Sequence, residues 1–513
     1  MIYKIKHTPS VFNDKKDSFM KIQTFFLLAI YFLLSCKNEK KQPQTIAKQP
    51  QKVVDSLPDI NPNVDSQGDS LSAARALKLI LEAKAKKSTW LVLENLYEPI
   101  PNELWSLTDL EGLSLLGYRL HSISDSMGQL RNLKSLGLQL TAIQKLPNGF
   151  GQLKKLERLN LSQAFYIPDF PKSSVNLKNL HEIEFFSALE FGDEFAIKFN
   201  RKSKSGIPNS IKYVKSLRRF DTGKSGISLP ENIEELENLE EIDCTKGNGY
   251  IPENIGKLKK LRRFRAGLSG ATDFPESFGD LSNLRYLSTG ANGMNGFPKC
   301  FTRLNLDTLY IGTENIVSLP DNIGDMRVRV LELNLVGLKS LPESFGNIEN
   351  LEELEMPKNQ LSALPESFGN LKNLKRLVLY NNKLTSLPNS FSQLKNLEFL
   401  DLRINKFKSL PLSICELSNL KVLSFGNNEI SQLPNCFGNL NNLESLDFFN
   451  NNFSVFPTMI EQFTQLETLD FSKNQLTTLP KNIKKMKQLK DCYLGGNNIK
   501  NIPQEYNKVS QNY

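Results

Sequence analysis

The residues that most often carry chemistry are few and scattered in this chain. Six cysteines (Cys36, Cys244, Cys300, Cys415, Cys436, Cys492) and three histidines (His7, His121, His181) are spread over 513 residues. No CxxC pair occurs, so the spacing that gathers zinc ligands is absent. Cys244 and Cys492 fall where inward apolar residues recur, which predicts buried filler rather than reactive thiols. Cys300 and Cys436 share one position of a repeating unit, six units apart, and are too distant to bond each other. A Cys415–Cys436 bridge between neighbouring units is conceivable, but unpaired cysteines are the expectation. No nucleophile–base pair and no paired carboxylates stand out, so neither a catalytic site nor a metal or cofactor is expected.

Two short matches to catalytic signatures fail on context. Gly223-Lys224-Ser225 looks like the end of a phosphate-binding loop, but that motif needs a Gly five residues before Gly223, where Arg218 stands. Phe191-Gly192-Asp193-Glu194-Phe195 looks like a cyclase signature and lies in an irregular insertion, without the domain such enzymes require.

Cys36 is the one cysteine with a chemical context. It closes the segment MKIQTFFLLAIYFLLSC, residues 20–36, in which Lys21 precedes an apolar run from Phe25 to Leu34. Ten apolar residues are too few to span a bilayer, which takes roughly 20, but they suit the apolar region of a signal peptide. Leu33-Leu34-Ser35-Cys36 resembles a bacterial lipobox. That resemblance implies cleavage before Cys36 and lipidation of its thiol. Lys37 follows it in place of the aspartate associated with inner-membrane retention, so the resemblance implies the outer membrane. Signal peptides begin just before their apolar run, so Met20 is the expected start and residues 1–19 are expected to be untranslated. Residues 37–69 have few large apolar groups to offset their ordering entropy, and read as a disordered tether.

The formal charge of +9 does not mark a nucleic-acid binder. Residues 1–89 hold 15 Lys+Arg against 8 Asp+Glu, and the remainder holds 49 against 47. A nearly neutral array lacks the basic footprint a phosphate backbone needs.

What would position any site is a repeat. From Pro230 to Pro503, prolines recur every 22 or 23 residues, and every 23 from Pro342 onward. One unit reads LKRLVLYNNKLTSLPNSFSQLKN from Leu374. Leu374, Leu377, Leu379, Leu384 and Leu387 point inward, with Asn382 the one polar member of that set. Leu377-Val378-Leu379 alternates as a short strand, leaving Val378 on the outer face. The inward amide can donate and accept where the chain turns, giving a predicted ladder of Asn359, Asn382, Asn405, Asn428, Asn451, Asn474 and Asn497. Phe345, Phe368, Phe391, Ile414 and Phe437 fill the opposite side.

This pattern resembles the 23-residue LPxxIGxLxxLxxLxLxxNxLxx type of the leucine-rich repeat family over residues 90–503. The resemblance implies an α/β solenoid: a horseshoe of about 17 repeats with a parallel β-sheet on its concave face. Residues 70–89 read as an amino-terminal cap helix, with Ser70 as N-cap and Ala73, Ala74, Leu77, Ile80 and Leu81 as its apolar face. The amino-terminal half departs from the ladder, with Thr141 and Ala164 at the Asn position. An insertion at about 186–205 stretches one repeat to 37 residues between Pro171 and Pro208. Residues 504–513 form a short tail.

Binding is expected on the concave face. One outward column includes Asp221, Asp243, Arg265, Ser288, Tyr310, Glu332, Glu355, Val378, Asp401, Ser424, Asp447, Asp470 and Tyr493. The column beside it includes Arg219, Arg263, Tyr286, Arg376, Phe399 and Asp491. Charges with interspersed aromatics suit a protein ligand. The expected function is therefore a non-catalytic, protein-binding lipoprotein of the bacterial cell envelope, anchored by its amino-terminal lipid and binding no nucleic acid. The alternative is an intracellular scaffold similar to the Ras-group repeat proteins.

Overall fold

A computed structural model describes residues 73–500, except 97, 163, 165–166, 186–206, 223–228, 245–249, 268–273, 291–293, 295, 313–314, 335–336 and 479–485. The start at Met20, the signal segment with Cys36, the tether, Ser70, the insertion and the tail all lie outside the described residues. So do the glycine-lysine-serine and cyclase-like matches.

Eighteen strands among the described residues form one parallel sheet, from Trp90–Leu93 to Asp491–Tyr493, each pairing with the next. The sequence dictates this. Each unit has only two inward leucines per strand, and stacking units side by side is how they become buried. Leu354, Leu377, Leu400, Leu423, Leu446 and Leu469 lie in register across six strands and are fully buried. Opposite the sheet, the predicted fillers sit on 3-10 turns. Phe345, Phe368 and Phe391 are buried and stack nearly parallel, with centroids 6.2 and 6.1 Å apart. The Pro before each of these three turns supplies its extended N-cap. Gly369 is required there, because a Cβ would lie 2.2 Å from the Ser390 carbonyl oxygen of the next repeat.

The cap helix spans Ala73–Ala85 and buries Ala76, Ile80 and Ala83. Its buried face is turned from the expected one. Ala73, Ala74 and Leu81 are exposed, Leu81 by 49%. Ala76, Ile80 and Ala83 follow a spacing of four and three, so one narrow stripe meets the first repeat.

The cysteines also correct the expectation. Cys415 and Cys436 are bonded, with Cα atoms 5.6 Å apart on adjacent 3-10 turns. Neighbouring turns bring their residues close enough for a bridge, and Cys436 sits two positions before Gly438, the equivalent of Cys415 in the next repeat. Cys244, Cys300 and Cys492 are buried thiols outside this bond. Burial pushes the Cys300 and Cys492 thiols up to about 12, which leaves them inert as nucleophiles.

Candidate functional site

The asparagine ladder fixes the turns that hold the concave face. Asn382 donates through Nδ2 to Leu379 O in its own repeat and to Met356 O in the preceding one, both at 3.0 Å, and its Oδ1 accepts from Leu361 N at 3.1 Å. Asn359, Asn405, Asn428, Asn451, Asn474 and Asn497 make the same kind of bridge. One rung therefore satisfies backbone groups in two repeats. Thr141 reaches only Leu138 O, at 2.9 Å.

The long concave column is continuous. Asp221 pairs in register with Asp243, Asp243 with Arg265, and so on through Tyr310, Glu332, Glu355 and Asp401 to Asp470 and Tyr493. It is not uniformly solvent-facing, as the alternation had suggested. Asp221, Val378, Asp401, Ser424 and Asp447 are buried, Asp401 to 2% exposure. Side chains on the inner face of a curved sheet converge, so long neighbours cover short ones. Arg403 lies over Asp401 in a two-pronged pair at 2.9 and 2.6 Å.

Several expected residues do come together. In the amino-terminal half, Arg219 reaches Glu182, Asp221 and Glu241 at 3.5, 3.3 and 3.9 Å. Burial opposes its charge, but those three carboxylates raise its pKa overall. Arg263 and Arg265 both lie over the Tyr286 ring, 4.5 and 5.4 Å from its centroid, and Arg265 also pairs with Asp243 at 3.5 Å. Further along, Arg376 bonds Glu355 at 2.9 Å and lies 3.9 Å from the Phe399 centroid. Asp447 and Asp470 are register partners on adjacent strands. Burial, then Asp470, pushes the Asp447 carboxyl up to about 7, and burial also raises Asp470. Glu332 is raised by burial and by Glu355 and Glu353. Tyr310 and Tyr493 stand in the column without joining these clusters.

A third column was missed in the sequence. Tyr380, Arg403, Phe449 and Ser472 lie two residues beyond the long column, and Arg403 caps Asp401 while lying over Tyr380 at 5.8 Å. The same two-residue alternation, carried one step further, would have found them. Among the described residues, no group of three or more His, Cys, Asp or Glu side chains is placed to hold a metal ion.

Residues 366–454 match the family model described as a leucine-rich repeat region, and residues 465–486 match a leucine-rich repeat model. The chain carries leucine-rich repeats. Solved structures share the fold. The Drosophila Toll–Spatzle complex matches at 21% identity and a TM-score of 0.58, covering 81% of this chain and 54% of that one. The leucine-rich repeat ectodomain of an Arabidopsis thaliana membrane receptor kinase, in complex with CASPARIAN STRIP INTEGRITY FACTOR 2, matches at 24% identity and a TM-score of 0.52, covering 79% and 52%. A leucine-rich repeat protein of Leptospira interrogans matches at 24% identity and a TM-score of 0.39, covering 86% and 97%. The chain thus spans about half the length of the first two of these chains. No curated protein matches it.

Proposed function

We propose that this leucine-rich repeat protein is a non-catalytic binding protein of the bacterial cell envelope, lipid-anchored at Cys36 and holding a protein ligand on its concave face. The observation that carries the reading is the concave sheet itself. It presents arginines held in place over aromatic rings, as at Arg263–Tyr286 and Arg376–Phe399, and such anchors are typical of protein-binding hot spots. Two solved structures that share the fold are complexes, a plant receptor kinase ectodomain with CASPARIAN STRIP INTEGRITY FACTOR 2 and Toll with Spatzle, and they support a protein ligand here. Export is supported by the lipobox-like segment ending at Cys36 and by the Cys415–Cys436 bond, since disulfides persist in oxidising compartments. The same bond weighs against the intracellular scaffold.

The test uses the producing cell. Metabolic labelling with an alkyne fatty acid should mark the protein, and Cys36→Ser should abolish the mark and release the protein from membranes. A non-permeant protease on intact and lysed cells then separates an outward-facing from a periplasmic array. An unlabelled, cytosolic product would sink the reading. Unbiased crosslinking in the same cells should capture an envelope or external protein, and charge-reversing Arg376→Glu should reduce that capture.

A further inference from the structure

Along one edge of the solenoid, where each turn enters its strand, charges of opposite sign alternate and pair. Lys134 meets Glu111 at 2.9 Å, Lys375 meets Glu352 at 3.1 Å, Lys421 meets Glu398 at 2.6 Å and Lys490 meets Glu467 at 2.8 Å. A groove on this edge in the carboxy-terminal half has Glu398, Lys421 and Glu444 as its charged lining. Its one cation is already answered by a carboxylate of the same groove.

A second groove, of about 440 Å³, breaks that rule at the irregular repeat. Its ionisable lining is Lys178, His181, Lys215 and Arg218, and among the described residues no carboxylate lines it. Both grooves share a scaffold of asparagines that donate to the preceding repeat: Asn419 to Lys395 O and Asn442 to Ser418 O, both at 2.8 Å, against Asn179 to Lys154 O at 2.9 Å and Asn238 to Lys215 O at 2.8 Å. Ser216 stands between Asn179 and Asn238. Its Oγ turns inward to Leu177 O and Leu180 O at 2.5 and 2.7 Å. The shorter side chain opens space that an asparagine fills elsewhere.

The cations around that space are only partly neutralised. Lys215 meets Glu235 at 2.6 Å, but Arg218 reaches Glu240 only at 3.9 Å, with its side chain 66% exposed. His181 is held by its Nδ1, 2.7 Å from Asn179 O.

We propose that this groove binds a phosphate or sulfate group, gripped by Lys178 and Arg218 and backed by Lys215. A guanidinium fork matches two oxygens of such a group, and an ammonium adds a point charge. The site lies on the edge of the sheet rather than its concave face, so it stands independently of the protein ligand.

The test is calorimetric titration of the full chain with inorganic phosphate and with sulfate, against chloride at matched ionic strength. A second arm sediments the protein with phosphatidylcholine vesicles with and without phosphatidic acid. Paired Lys178→Gln and Arg218→Gln should weaken whichever ligand binds by at least about tenfold, the effect expected for loss of charge-assisted hydrogen bonds. Lys421→Gln, in the self-neutralised groove, should leave binding unchanged. Thermal melts confirm that the variants fold. Phosphate or sulfate binding alone assigns a soluble or soluble-group ligand, and binding only to phosphatidic acid vesicles assigns a lipid headgroup. Binding to neither overturns the site. So does equal weakening by Lys421→Gln, which would mean diffuse surface charge.

Discussion

Replacing Asn405 by Ala should cost about 3 kcal/mol, and the structure says where that energy resides. The Asn405 Oδ1 accepts from Leu384 N at 3.0 Å, and its Nδ2 donates to Leu379 O and Leu402 O, both at 3.0 Å. The two carbonyls keep a second amide each, from Asn382 at 3.0 Å and Asn428 at 3.1 Å. Leu384 N has no such replacement. A buried N–H left without a partner costs about 1–3 kcal/mol, and each weakened carbonyl bond adds about 0.5–1.5 kcal/mol. Urea unfolding followed by circular dichroism measures the total. Hydrogen exchange separates the parts, because the Leu384 amide should lose protection first while distant repeats keep theirs, as nearest-neighbour coupling requires. A loss below about 0.5 kcal/mol with Leu384 still protected would refute the claim that the rung acts by satisfying that donor.

Cys436→Ser should lower stability by about 2–4 kcal/mol, since the bond closes a loop of sequence separation 21; the loss should appear in wild type on adding reductant and be absent in the variant. Ile404 occupies a left-handed turn position at φ 54° that Asn381, Asn427, Asn450 and Gly496 fill in other repeats. Ile404→Asn should therefore stabilise by about 1 kcal/mol, read as a raised melting temperature. Asp447 titrates in the folded state near 7 against an ordinary 3.8. A raised carboxylate contributes stability that is full below the unfolded value and is lost as pH climbs from about 4 to about 7. Asp447→Asn should then gain on wild type as pH rises through that window, and a pH-independent difference between the two would refute it.

The fold was legible because its determinants are local and repeated. In the carboxy-terminal half, leucine at the inward strand positions, Pro before the turn and Asn at the rung together dictate a stacked parallel sheet, and all of them can be read within one 23-residue unit. The register of the concave column followed from the same spacing, residue by residue from Asp221 to Tyr493. Burial along that column did not follow, because whether Asp401 sees solvent depends on Arg403, two positions along in its own repeat, and on the convergence of neighbouring strands. The disulfide was equally hidden. Cys415 and Cys436 look like ordinary members of their turns until adjacent turns are placed 5.6 Å apart at those Cα atoms. The groove at Ser216 is a departure from a pattern, and its meaning appears only beside the intact groove at Asn419 and Asn442.

These interactions also bear on how a partner would be held. The concave arginines are already positioned: Arg376 by Glu355 and Phe399, Arg403 by Asp401, Arg219 by three carboxylates. Binding there would order few side chains anew, which removes much of the usual entropic cost of association. The same pairing means that a partner gains little from the arginine charges, since it must compete with carboxylates already in contact. The least compensated charge lies at Asp447 and Asp470, where burial raises both carboxyls and Asp470 raises Asp447 further, against a smaller opposing effect of Arg403 on Asp447. Affinity on this face should therefore rest on its aromatic and apolar surface, with charge deciding which partners are turned away.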